Sequence, residues 1–146
     1  MEAACRKASD EGVARLRGLV DTMVRDSPSQ AQHERCARDL AFHTLICELS
    51  GNAHLHRIFS DTQTEMRMII ALIDAVYHDP GTVASLHYPI VDALQARDAE
   101  AARSAIRVHL DDAWQHVRAL FVEQHGSRPP VATARRAPQP RAVRPL

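Results

Sequence analysis

Residues 39–52 read DLAFHTLICELSGN, and the fold turns on how this run is parsed. Phe42, Leu45, Ile46 and Leu49 recur at steps of three and four, the spacing that holds apolar side chains on one side of an α-helix. Gly51-Asn52 suits the left-handed turn that closes a helix. Followed backward, the stripe continues through Leu40 and Cys36, so the spacing predicts a helix from about Gln32 to Leu49. Asp39 and His43 stand one turn apart on it and project from one face. Spacing alone leaves two readings open. Both side chains face water, or they are two ligands of a metal site whose partners come from elsewhere in the chain.

The flanking sequence is helical too. Val13, Leu16, Leu19, Val20 and Met23 form a helix behind a Ser9 or Asp10 N-cap, broken at Asp26-Ser27-Pro28-Ser29. A long third helix is expected from about His54 to Tyr77, stopped by His78-Asp79-Pro80-Gly81. A fourth covers about Thr82 to Ala96, with Pro89 kinking it or splitting it in two. The fifth starts at an Asp98 N-cap and runs to about Gln124. No segment alternates with period two, and no internal repeat is evident. Short loops between amphipathic helices predict an all-α fold, an antiparallel helical bundle of about six helices.

A chain of 146 residues is long enough to bury a core as one domain. No apolar run approaches the roughly 20 residues of a membrane span, so no membrane association and a cytoplasmic location are expected. Cys5, Cys36 and Cys47 are odd in number and lack C-x-x-C spacing, which predicts buried, reduced thiols. The 18 basic and 18 acidic residues balance only formally. Residues 126–146 carry five arginines, five prolines and no acid, leaving 13 basic residues against 18 acidic ones in residues 1–125. The division expected is a folded domain over 1–125 and a disordered Pro/Arg-rich tail over 126–146. An acidic folded part argues against a grip on phosphates.

The nine histidines sort by position. His87 and His109 fall within the apolar rows of the fourth and fifth helices, beside Leu86, Ile90 and Leu94 and beside Ala105, Ile106 and Leu110. With the Asp39–His43 pair they could converge inside a bundle, where such sites are built from facing helices. Three imidazoles and a carboxylate suit zinc, nickel, iron or manganese and leave room for a further ligand. The competing reading makes each a hydrogen-bonded core or surface histidine. His54 and His56, two residues apart, chelate poorly. His33, His78, His116 and His125 fall at element ends or polar faces.

The motif D-L-A-F-H-x-L-I-x-x-x-S-G-N at 39–52 resembles the signature of the FCD (FadR C-terminal) domain of GntR-type transcription regulators. H-Y-P-I-V-D-A-L-Q-A-R-D-A-E-A-A at 87–102, R-V-H-L at 107–110 and S-D-E-G-V-A-R-L-R-G-L-V-D-T-M at 9–23 agree, so the resemblance covers about residues 3–124. In metal-binding members an aspartate and three histidines hold a divalent cation. Residue by residue these fall on Asp39, His43, His87 and His109. Two departures stand out. Leu86 occupies the position where the family usually has a glutamate, removing a polar contact behind the third ligand. The winged helix-turn-helix that precedes this domain in the regulators has no counterpart here, and the first helix reads as shortened.

The resemblance implies ligand sensing. A small carboxylate, an organic or sugar acid, enters the bundle and binds near or on the metal, and the packing of a homodimer changes. Direct sequence-specific DNA binding by this chain is not expected; that belongs to full-length relatives. Arg67, amid Met66, Met68, Ile69 and Ile70, is the candidate for a carboxylate clamp, against a solvent-facing reading or a pair with Glu65 or Asp61. Arg103 and Arg107 are the reserves. Two other classes stay open beside this non-enzymatic one. One is a metal-dependent hydrolase or lyase using Glu48 or Asp112 as base, and the other is a structural helical dimerisation module.

Overall fold

A computed structural model describes residues 1–76 and 79–125, and among these every regular element is helical. The order is α1 (Glu2–Lys7), α2 (Asp10–Asp26), α3 (Gln32–Leu49), α4 (Ala53–Asp61), α5 (Gln63–Val76), α6 (Pro80–Ser85), α7 (Tyr88–Gln95) and α8 (Ala99–His125). None is long and apolar enough to cross a membrane. The expected helix end at Tyr77 and the expected disordered tail lie outside the described residues.

The starts and stops follow local chemistry. Ser9 caps α2 by accepting a hydrogen bond from the Gly12 amide at 3.0 Å. Asp98 caps α8 through the amides of Glu100 and Ala101. Gly51 closes α3 with φ of 60°, as its sequence position suggested.

Two expected helices are each divided. The run from His54 onward hitches at Thr62, whose hydroxyl takes up the Ile58 and Phe59 carbonyls and competes with the regular ladder. The run from Thr82 divides into α6 and α7. Pro89 stands in the first turn of α7, where its missing N–H costs nothing. This second break puts His87 at a junction between two helices, not midway along one.

The core is assembled from α2, α3 and α7. Leu16, Val20 and Met23 meet Phe42 and Leu45, with Ile90, Val91 and Leu94 closing the cluster and Ala102 of α8 sealing one end. Gly12 allows α2 to come close to α3, since a Cβ there would lie 2.5 Å from the Leu49 side chain. α5 packs on α3 and α8, and α8 packs on α7. Cys5, Cys36 and Cys47 are buried free thiols.

Arg97, between α7 and α8, has a left-handed backbone with φ of 56°. Its guanidinium donates to the Cys5 and Ala8 carbonyls at the end of α1 and to Asp10 at the start of α2. It thereby satisfies carbonyls that a helix end leaves open. Arg97→Ala is expected to lower stability by about 1–3 kcal/mol, losing those bonds and keeping the strained backbone. Arg97→Gly should lose less, because glycine accepts positive φ. Urea unfolding of the three proteins checks the order; an alanine variant as stable as the parent would contradict it.

Candidate metal centre

Asp39 and His43 project from the inward side of α3 because they share the helical face that carries Phe42 and Ile46 into the core. His87 comes from the α6–α7 junction and His109 from the first half of α8. The fold brings all four together. His43 Nε2 is 3.4 Å from Asp39 Oδ1, and His87 Nε2 is 3.4 Å from Asp39 Oδ2. Ring centroids are 4.5 Å apart for His87–His109, 5.2 Å for His43–His109 and 5.4 Å for His43–His87. One nitrogen from each of the three imidazoles lies within 4.8 Å of the others. Phe42, wholly buried, presents its ring edge-on to His87 and His43 and forms the floor.

His87 is 0% exposed and Asp39 8%. His87 Nδ1 sits 3.0 Å from the Ala84 carbonyl, a contact made possible by the turn at the end of α6. Donation there orients the ring and turns Nε2 toward Asp39. Leu86 supplies no polar group at this point, and the backbone carbonyl of Ala84 takes the orienting role. His87 Nε2 and His109 Nδ1 are buried with no hydrogen-bond partner among the described residues. Buried polar atoms are nearly always paired, so two unpartnered nitrogens in one cluster stand out.

The electrostatics agree with a donor set. Burial pushes the His43 ring from its usual 6.5 down to about 4, against the pull of Asp39. Burial, with His87 and His43 adding to it, takes His109 down to about 3. Burial works to raise the Asp39 carboxyl, but His87, His43 and His109 outweigh it and the carboxyl falls below its usual range. At neutral pH the cluster therefore holds a carboxylate and neutral rings at His43 and His109, the forms that bind a cation.

Asp39, His43 and His109 open onto a cavity of about 280 Å³ between α3, α5 and α8. Arg67 is not brought to it. On α5 the inward row is Met66, Ile69, Ile70 and Ile73, which turns Arg67 to the exposed side. Arg103 pairs with Glu2 and Glu100 on the surface, and Arg107 is exposed. The guanidiniums lining the cavity are Arg35 and Arg38 instead. Arg35 holds both oxygens of Asp74 at 2.7 and 2.6 Å and also donates to the Gln30 carbonyl; Arg38 reaches Asp26 at 3.0 Å. Sequence reasoning missed Arg35; its one available signal was that it precedes Asp39 by four residues, as Asp39 precedes His43. Asp74 and Trp114, also in the lining, carried no such signal. Glu48 lies outside the cavity, 3.8 Å from His56. Asp112 lies in its wall, beside His116.

The chain belongs to the FCD domain family, whose match runs over residues 1–112. A curated relative is the HTH-type transcriptional repressor NanR of Cronobacter sakazakii (strain ATCC BAA-894). It is 28% identical over 120 residues, which cover 80% of this chain and 45% of the relative. The chain thus spans about half the length of that repressor.

Buried neutral rings make the metal-free protein acid-sensitive. Unfolded histidines take up a proton near pH 6.5, whereas folded His43 and His109 resist it until about 4 and 3. A depressed folded value means stability is complete above pH 6.5 and is lost as pH falls from there toward 4. Chelator-treated protein is expected to lose on the order of 5 kcal/mol across that interval. Denaturant titrations at stepped pH provide the measurement; a flat profile between pH 7 and 4.5 would count against neutral buried rings.

Proposed function

We propose that this domain is an effector sensor of a transcription regulator, and that it binds a small carboxylate beside a divalent transition ion held by Asp39, His43, His87 and His109. The observation that carries the reading is the pair of orphaned ring nitrogens, His87 Nε2 and His109 Nδ1, buried next to a carboxylate already flanked by two imidazoles. The donor set suits zinc, nickel, iron or manganese. When bound, such an ion supplies a net positive charge and a free position for an anionic oxygen.

The chain's own residues do the rest. Ala84 O orients His87, Asp39 supplies the countercharge, and Phe42 keeps the ring faces dry. Arg35 and Arg38 in the cavity wall are neutralised by Asp74 and Asp26, so the ion itself supplies the charge that draws an anion in. Because α5 forms one wall and α8 the other, filling the cavity acts on how these helices pack. In a full-length regulator that packing would be relayed to the part that reads DNA. The reading is binding without turnover, in a homodimer.

The test is metal analysis of protein purified without chelator. About one transition ion per chain is expected, and His87→Ala and His109→Ala should each weaken retention at least about a hundredfold. The ion should also raise the melting temperature, since it binds only the folded form. Unchanged metal content in both variants would sink the site. Light scattering checks the assembly: a species of twice 16.2 kDa is expected, and a monomer at high concentration would argue against pairing.

A further inference from the structure

The metal-side donors occupy one end of the cavity, and the remainder is of a different character. Met66, Ile70 and Ile73 of α5 face Leu110, Trp114 and Val117 of α8 across it. We infer that the effector is a monocarboxylic acid with an apolar tail, straight, branched or aromatic, and not a polyhydroxylated acid. The inference rests on the sensing reading above and concerns the part of the ligand that points away from Asp39.

The polar groups along the cavity are already engaged. Arg35 is held by Asp74 and the Gln30 carbonyl, Arg38 by Asp26, Ser27 donates to the Val24 carbonyl, and Asp112 lies beside His116. Asp39 is flanked by His43 and His87. A sugar acid would therefore lay most of its hydroxyls against isoleucine, methionine and leucine side chains, where each loses its water without a matching partner. An aliphatic or aromatic tail meets no such penalty. It also covers Leu110 and Trp114, which are 51% and 60% exposed. Each methylene buried in this way should tighten binding about fourfold. The cavity, about 280 Å³, is at the low end of the ~300–1,000 Å³ range of small-molecule sites and suits an acid of roughly six to ten carbons.

Trp114 is the chain's single tryptophan, so intrinsic fluorescence reads occupancy of the cavity directly. The experiment titrates metal-loaded, full-length chain with acetate, hexanoate, octanoate and gluconate. Gluconate has the six-carbon skeleton of hexanoate with a hydroxyl on every carbon beyond the carboxyl. Hexanoate and octanoate are expected to give a saturable blue shift of Trp114 emission and to bind at least tenfold more tightly than gluconate, with acetate weaker than hexanoate. Val117→Phe, which fills the cavity away from the histidines, should weaken octanoate at least tenfold, with metal content measured on the same samples. Gluconate binding as tightly as hexanoate would overturn the apolar-tail inference while leaving carboxylate sensing intact. Failure of all four acids would remove the sensing reading as well. A blue shift that follows protein concentration and ignores added acid would show that a second copy covers this wall, and would also overturn the inference. The comparison of hexanoate with gluconate needs no variant, so it decides the matter even where Val117→Phe does not fold.

Discussion

Four polar side chains, Asp39, His43, His87 and His109, converge where the core would otherwise be apolar, and much of the structure is arranged around accommodating them. Among the described residues Ser27 and Ser50 are also buried, and both hydroxyls return to helix carbonyls, of Val24 and Cys47. The histidine cluster has no such resolution. Leaving a buried donor or acceptor unpaired costs about 1–3 kcal/mol, and two ring nitrogens are in that state. A fold selected for stability alone would fill the site with leucine. Local violations of this kind are where function is found.

What makes the convergence possible is a break. Were residues 80–95 one continuous helix, the His87 ring would have to follow the helical face set by Ala84 and Val91. Pro89 opens α7 afresh, and the turn before it lets His87 Nδ1 reach the Ala84 carbonyl within its own segment. The backbone thus does the orienting, with no polar side chain at position 86 taking part. Leu86 instead joins the cavity lining, which moves this part of the site toward the apolar.

The Arg35–Asp74 pair sits where the histidine cluster's helix, the cavity and the packing of α5 meet. Its side chains are 21% and 7% exposed, so the carboxylate is largely withdrawn from water and depends on its bidentate partner. The pair ties α3, which carries Asp39 and His43, to α5, which carries the apolar wall. Under the proposed sensing role, this linkage would carry occupancy of the cavity into how α3 and α5 lie against each other.

The boundaries of α2, α3 and α8 were legible in the sequence, since Ser9, Gly51 and Asp98 act through neighbours one to three residues away. The pairing of Asp39 with His43 was legible for the same reason: α-helical geometry alone sets one turn of spacing. His87 and His109 could be named from the apolar rows in which they stand and from the family motif. That their nitrogens share one small space, and that two of them lack partners, depends on how α3, α7 and α8 pack, because contacts between residues 39, 87 and 109 are made only in three dimensions. The same holds for Arg67. Its neighbours are apolar on both sides, and only the register of α5 against α3 and α8 decides that Met66, Ile69 and Ile70 face the cavity while Arg67 faces water. Arg35 and Arg38, polar residues on a polar stretch of α3, became part of the cavity wall through that same packing.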